Sequence, residues 1–94
     1  MPFVILCLDK PNQQALRAET RPVHLAYLET FADRFVYAGP LMDDSGSVPL
    51  GSLLVVDMAE RSEVEAFAAG DPYAKAGLFE SVTIHPSRQV FPKP

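Results

Sequence analysis

Cysteine is almost absent from this chain. Cys7 is the only one in 94 residues, which rules out an intramolecular disulfide and a cysteine-based metal site. Basic residues are in deficit as well, with 8 Lys and Arg against 12 Asp and Glu for a net charge of −4. Nucleic-acid binding draws on a basic field along the phosphates, so a nucleic-acid partner is not expected. The same deficit argues against an anionic membrane surface. No apolar run approaches the about 20 residues that a membrane span needs, and the Phe3–Leu8 run lacks both the length and the basic start of a secretory leader. The expectation is a soluble cytoplasmic protein without a membrane partner. No Gly-rich phosphate loop or nucleophile elbow is present, which removes support for nucleotide or serine-hydrolase chemistry. The two histidines, His24 and His85, show no ligand spacing with carboxylates. Neither a metal nor another cofactor is expected.

Apolar side chains are plentiful, at 48%. That is enough for a core, although a chain of this size buries a modest fraction of its surface and gains from a partner subunit. The length fits one domain, 1–94, and no internal repeat, low-complexity stretch or dividing linker is visible.

FVILCLD (3–9) is apolar throughout up to Asp9 and predicts a strand buried on both faces. Leu25, Leu28, Phe31, Ala32 and Phe35 follow helical spacing, with Pro22 either kinking one helix or starting a new one from its first turn. RFVYAGPLM (34–42) predicts a second strand, where Pro40 marks an edge or a bend. DDSGSVP (43–49) is a polar turn, and LGSLLVVDM (50–58) a third strand. AERSEVEAFAAG (59–70) predicts a helix with Ser62 and Glu65 at capping-box spacing and Gly70 as its stop. DPYAKAG (71–77) predicts one more turn, with Asp71 as N-cap, Pro72 at N1 and Gly77 past its end. LFESVTIHP (78–86) is a fourth strand, and QVF (89–91) a short extension.

Strand, helix, strand, strand, helix, strand is the order of a ferredoxin-like α+β fold: a four-stranded antiparallel sheet with both helices on one face. The first strand offers Phe3, Ile5 and Cys7 to one side and Val4, Leu6 and Leu8 to the other. Two helices cover one face only, so the other predicts a partner sheet, most simply a second copy in a homodimer.

His24 is the first candidate for chemistry, because an imidazole exchanges protons near neutral pH. The alternative is a half-buried histidine on the flank of a helix. Arg17, Arg21, His24 and Leu28 share one helical stripe. Its cations suit a carboxylate or phosphate ligand, or else Arg17 pairs with an acid such as Asp9 and Arg21 is solvated. Asp71 is explained by capping alone, but a carboxylate can also hold a histidine in one tautomer. Both roles at once require one carboxylate oxygen to remain free. Tyr73 can donate to a substrate oxygen, or simply pack. His85 reads as a surface residue, Asp43 and Asp44 as turn chemistry, and Cys7 as an inert core thiol.

RPVHLAYL on the first helix, YAGPLM on the second strand and AAGDPYAKAGLFESVTIHPSRQVF towards the C-terminus together resemble the YCII-related (YciI-like) domain family, over nearly the whole chain. The resemblance implies a ferredoxin-like fold that pairs into a dimeric α/β barrel, as in muconolactone isomerases. It implies a site built on a helix histidine and the aspartate of the DPY motif, which match His24 and Asp71 here. Arg17 and Arg21 fall where the family tends to carry basic residues, and Tyr73 matches the tyrosine of DPY. Gly39 and Pro40 match a GP pair that shapes the strand near the pocket, while the 43–49 loop is shorter than in some relatives. At least one branch resembles dehalogenating or lyase-type enzymes acting on hydroxylated aromatics.

The resulting expectation is a cofactor-free small-molecule enzyme, an isomerase or lyase. His24 would be its general acid/base, Asp71 its orienter, and Arg17, Arg21 and Tyr73 its contacts to a small anionic or phenolic substrate. The alternative is a non-enzymatic module that binds a small metabolite or assists another enzyme.

Overall fold

The computed structural model describes residues 1–94. Its elements are β1 (Pro2–Asp9), α1 (Gln14–Glu29), β2 (Phe35–Met42), β3 (Pro49–Asp57), α2 (Arg61–Gly70), α3 (Pro72–Lys75) and β4 (Phe79–Pro86), with a single 3-10 turn at Ala32–Arg34. The sheet order is β2-β3-β1-β4, and every pairing is antiparallel. This is the ferredoxin-like α+β arrangement. Pro40 lies on an edge strand, where its missing N–H removes no ladder bond on the open side.

The register explains which side of the sheet is the core. Phe3, Ile5 and Cys7 of β1 stand opposite Val56, Leu54 and Ser52 of β3. All six are buried beneath the helices. Val64 and Phe67 of α2 close the core from above, and Tyr27, Leu28, Phe31 and Phe35 pack against it. Phe67 is the hub of the aromatic end, with ring centroids 4.8 Å from Phe31, 5.5 Å from Tyr27 and 5.8 Å from Phe35. The Tyr27 hydroxyl donates to the Phe67 carbonyl at 2.9 Å. On the opposite side of the sheet Val4, Leu6, Leu53 and Val55 are half-buried and Leu8 and Tyr37 exposed, with no helix above them.

One local alternative is decided and two expectations are corrected. α1 runs unbroken through Pro22, so no new helix starts there. The proline ring faces solvent, and buried anchors on either side, Arg17 and His24, hold the helix across the missing bond. The start of α2 is fixed not by Ser62 and Glu65 but two residues earlier, where the Glu63 carboxylate accepts from the Glu60 N–H at 3.2 Å. Glu65 instead faces Arg61 one turn back. QVF (89–91) forms no strand: regular structure ends at Pro86, and Val90 and Phe91 are exposed. No helix is long and apolar enough to cross a membrane.

Candidate functional site

The stripe on α1 that carries Arg17, Arg21, His24 and Leu28 lines a cavity of about 640 Å³. Its other walls are Ala38, Gly39, Pro40 and Met42 of β2, Ser52 and Leu54 of β3, the Ser47–Pro49 end of the intervening loop, and Tyr73. No aspartate or glutamate lines it, so its charge is entirely cationic in a chain that is acidic overall.

His24 is 7% exposed and Asp71 3%. The His24 Nδ1 and Asp71 Oδ1 atoms are 2.8 Å apart. With Nδ1 facing a carboxylate, that nitrogen carries the proton and donates, which leaves Nε2 as the nitrogen free for other chemistry. The same Oδ1 accepts the Tyr73 backbone N–H at 2.9 Å and so caps α3. Capping and histidine binding therefore converge on one oxygen, through its two lone pairs, and no division between the two carboxylate oxygens is needed. Pro72 at N1 pre-sets the helical turn, and Gly77, at φ +76°, ends it in the left-handed region.

Tyr73 is 2% exposed, and its ring is sandwiched. The His24 ring stacks on it at 3.9 Å between centroids and 18° between planes. The Arg17 guanidinium lies 4.6 Å from the Tyr73 centroid, at cation–π distance. Burial raises the Tyr73 phenol above its ordinary value, against the lowering charges of Arg17 and Arg21, and keeps it a donor at neutral pH.

The two arginines differ. Arg17, 6% exposed, donates from Nη1 to both oxygens of Asp9 at 3.0 and 3.1 Å. From Nη2 it donates to the Gly51 carbonyl at 2.8 Å and to Ser52 Oγ at 2.7 Å. Its terminal nitrogens are thus engaged by the protein, as the pairing with Asp9 anticipates, and only Nε–H lacks a protein acceptor. Gly51 is required here, since a Cβ would collide with the Cys7 carbonyl. Burial raises the Asp9 carboxyl, and the Arg17 charge and hydrogen bonds oppose that rise. Arg21, by contrast, is exposed at the cavity and has no ion pair or hydrogen bond to the protein.

His85 is exposed. Cys7 is buried, and burial, with the Asp71 and Asp9 charges, pushes its thiol up to about 12. No group of three or more His, Cys, Asp or Glu is placed to hold a metal ion. Sequence reasoning passed over Ser52. Its signal lies in the strand alternation, which turns a lone hydroxyl inward among Leu54, Val56 and Cys7.

Comparison with known proteins decides the kinship. The YCII-related domain matches residues 1–88. The chain belongs to the YCII-related domain family. Within it, the chain is 34% identical over 98 residues to Protein YciI of Escherichia coli O6:H1. It is 32% identical over the same length to an uncharacterized protein of Haemophilus influenzae. Both alignments cover 97% of this chain and 100% of the relative. The YCII-related fold is also that of a solved dehydrochlorinase, TftG from Burkholderia phenoliruptrix. Its chain superposes with a TM-score of 0.88 and 29% identity, over 94% of each chain. That enzyme is described as a 5-chloro-2-hydroxyhydroquinone dehydrochlorinase in complex with 2,5-dihydroxybenzoquinone.

Proposed function

We propose that this protein is a small-molecule enzyme in which His24 transfers a proton and Asp71 holds it for that task. The observation that carries the reading is the 2.8 Å His24–Asp71 contact at the wall of a cavity with apolar sides and cationic polar groups. Asp71 fixes the proton on Nδ1 and stabilises the imidazolium that forms when Nε2 takes a proton from a substrate carbon or oxygen. Proton removal followed by proton return gives isomerisation. Proton removal with departure of a leaving group gives elimination. The likeness to the dehydrochlorinase favours elimination from a small phenolic or otherwise anionic ring. Arg21, the unpaired cation at the cavity, draws in the substrate's negative charge, while Leu25, Leu28, Pro40 and Leu54 contact its apolar faces.

The test separates binding from turnover. 2,5-Dihydroxybenzoquinone, the ligand of the structural neighbour, serves as binding probe, and chlorinated hydroxyhydroquinones as candidate substrates. His24→Ala and Asp71→Asn are expected to retain the probe and to lose about 10²–10⁴-fold in turnover. Turnover unchanged by His24→Ala rules out the proton-transfer role. A non-enzymatic binding module is the second reading, favoured by the free Arg21. It predicts that Arg21→Ala abolishes probe binding in a protein that turns over none of these compounds.

The same reading includes a homodimer through the open sheet face, supported by the uncovered Val4, Leu6, Leu53 and Val55. Sedimentation at micromolar concentration tests it, and a monomer there refutes it.

A further inference from the structure

Ser52 is 3% exposed, yet its hydroxyl proton is idle. Its Oγ accepts from Arg17 Nη2 at 2.7 Å. A serine hydroxyl also has one proton to donate, and no protein atom accepts it. Buried polar groups normally find partners, and the open space beside Ser52 is the cavity that it lines. Tyr73 repeats the pattern. It is 2% exposed, its hydroxyl has no protein partner, and it lines the same cavity. Arg17 connects the two, touching the Ser52 oxygen at one end and the Tyr73 ring face at the other. A hydroxyl that accepts from a cation becomes a stronger donor, because the bonds polarise one another. No carboxylate in the lining competes for these protons.

We propose that Ser52 is a substrate-binding residue whose hydroxyl, polarised from behind by Arg17, donates to the anionic oxygen of a phenolate- or enolate-type ligand, with Tyr73 as a second donor. Arg17 is then a positioning residue that acts through Ser52 and Tyr73. The proposal rests on the cavity being the substrate site. It explains why a cation is buried in the wall with its terminal nitrogens turned to the protein: its charge reaches the ligand through two neutral hydroxyls. It also divides the work within the stripe. Arg21 meets charge at the mouth, Ser52 and Tyr73 hold the oxygen inside, and His24 moves the proton.

The probe is para-nitrophenol, whose phenol and phenolate forms differ in absorbance, with para-nitroanisole as the uncharged control. The intact protein is expected to bind the phenolate in preference to the anisole and to lower the apparent pKa of the bound phenol. Ser52→Ala is expected to reduce that preference about tenfold or more, the effect of one hydrogen bond to a charged group, and to leave anisole affinity unchanged. Ser52→Thr, which restores a hydroxyl, is expected to recover most of it. Ser52→Cys, of similar shape but a weak donor, is expected to behave like Ala and provides the measurement if the alanine variant does not fold. Arg17→Lys keeps a charge towards Asp9 without the fork, and is expected to lower the preference and raise the bound phenol's pKa with anisole affinity intact. No phenolate preference in the intact protein, or full preference in both Ser52→Ala and Ser52→Cys, overturns the proposal. The two readings fail separately: the Ser52 variants are read by binding alone, so their loss of phenolate preference stands or falls whether or not His24→Ala lowers turnover.

Discussion

One helix, α1, ends in two different chemistries. At its C-terminal end Tyr27, with Phe31 just beyond the helix, packs with Phe35 and Phe67 into an aromatic cluster. From its first turn to past its middle the same inward stripe delivers Arg17 and His24 into a chain of contacts running from Asp9 through Arg17, Tyr73 and His24 to Asp71. Both use a buried aromatic ring as their hub, Phe67 in one and Tyr73 in the other. Apolar packing tolerates small shifts in angle because dispersion is non-directional. The polar end has no such tolerance, since each contact is a directed hydrogen bond or a stacked ring, and a mismatch leaves a buried group without a partner. The aromatic end therefore supplies stability, and the polar end geometry.

Substitutions that remove one hub or one link test this division. Phe67→Ala is expected to have the largest effect on stability, about 3–5 kcal/mol in a urea titration, while the variant, where folded, still binds the quinone probe. Arg17→Met is next, at about 3 kcal/mol, because it leaves the Asp9 carboxylate buried without its cation. The double variant Arg17→Met with Asp9→Asn is expected to recover most of that loss, and additivity of the two single effects would refute the coupling. Asp71→Ala removes the cap of α3 and is expected to cost about 1 kcal/mol. Asp71→Asn keeps an oxygen for the Tyr73 N–H and is expected to melt close to the parent while losing turnover. If the two Asp71 variants match in both stability and turnover, capping and chemistry do not share that oxygen.

The effect that is nil at neutral pH and shows only on the alkaline side is that of Cys7. The folded Cys7 thiol holds its proton to about 12, whereas an ordinary thiol loses it near 9.0. The folded state therefore binds more protons than the unfolded state across that window, and stability falls as pH rises through it. Below 9.0 the term is fully in place. Comparing the parent with Cys7→Val by thermal melting on either side of 9.0 isolates it, and a slope unchanged in the variant assigns the alkaline loss to other groups.

The fold was legible in the sequence because alternation and helical spacing are local patterns that burial reinforces. Phe3, Ile5 and Cys7 share a face whatever covers it. Element ends were less legible. Ser62 and Glu65 have the spacing of a capping box, but so do Glu60 and Glu63, and the choice depends on where β3 releases the chain after Asp57. Pro22 has a strong local preference to interrupt a helix, and tertiary anchors at Arg17 and His24 overrode it. In the site, His24 and Asp71 stand 47 positions apart in the chain and meet at 2.8 Å. Neither residue's own neighbours in the chain announce that meeting; only the motif resemblance pairs them. The pairing of Arg17 with Asp9 was visible as one of two alternatives. Ser52 was not singled out, since one serine in an apolar strand carries no motif and its meaning comes from a side chain 35 positions away.

The double use of Asp71 Oδ1 has a consequence for protein engineering. A designer who wished to transplant the His24–Asp71 pair onto another scaffold could not carry two side chains alone. The carboxylate is aimed by the amide of Tyr73, that amide by the turn starting at Pro72, and the Tyr73 ring in turn lies against the imidazole. The smallest portable unit is therefore one turn of α1 docked on the whole Asp71–Gly77 segment, and a graft that omits the miniature helix would deliver the right residues with nothing to aim them.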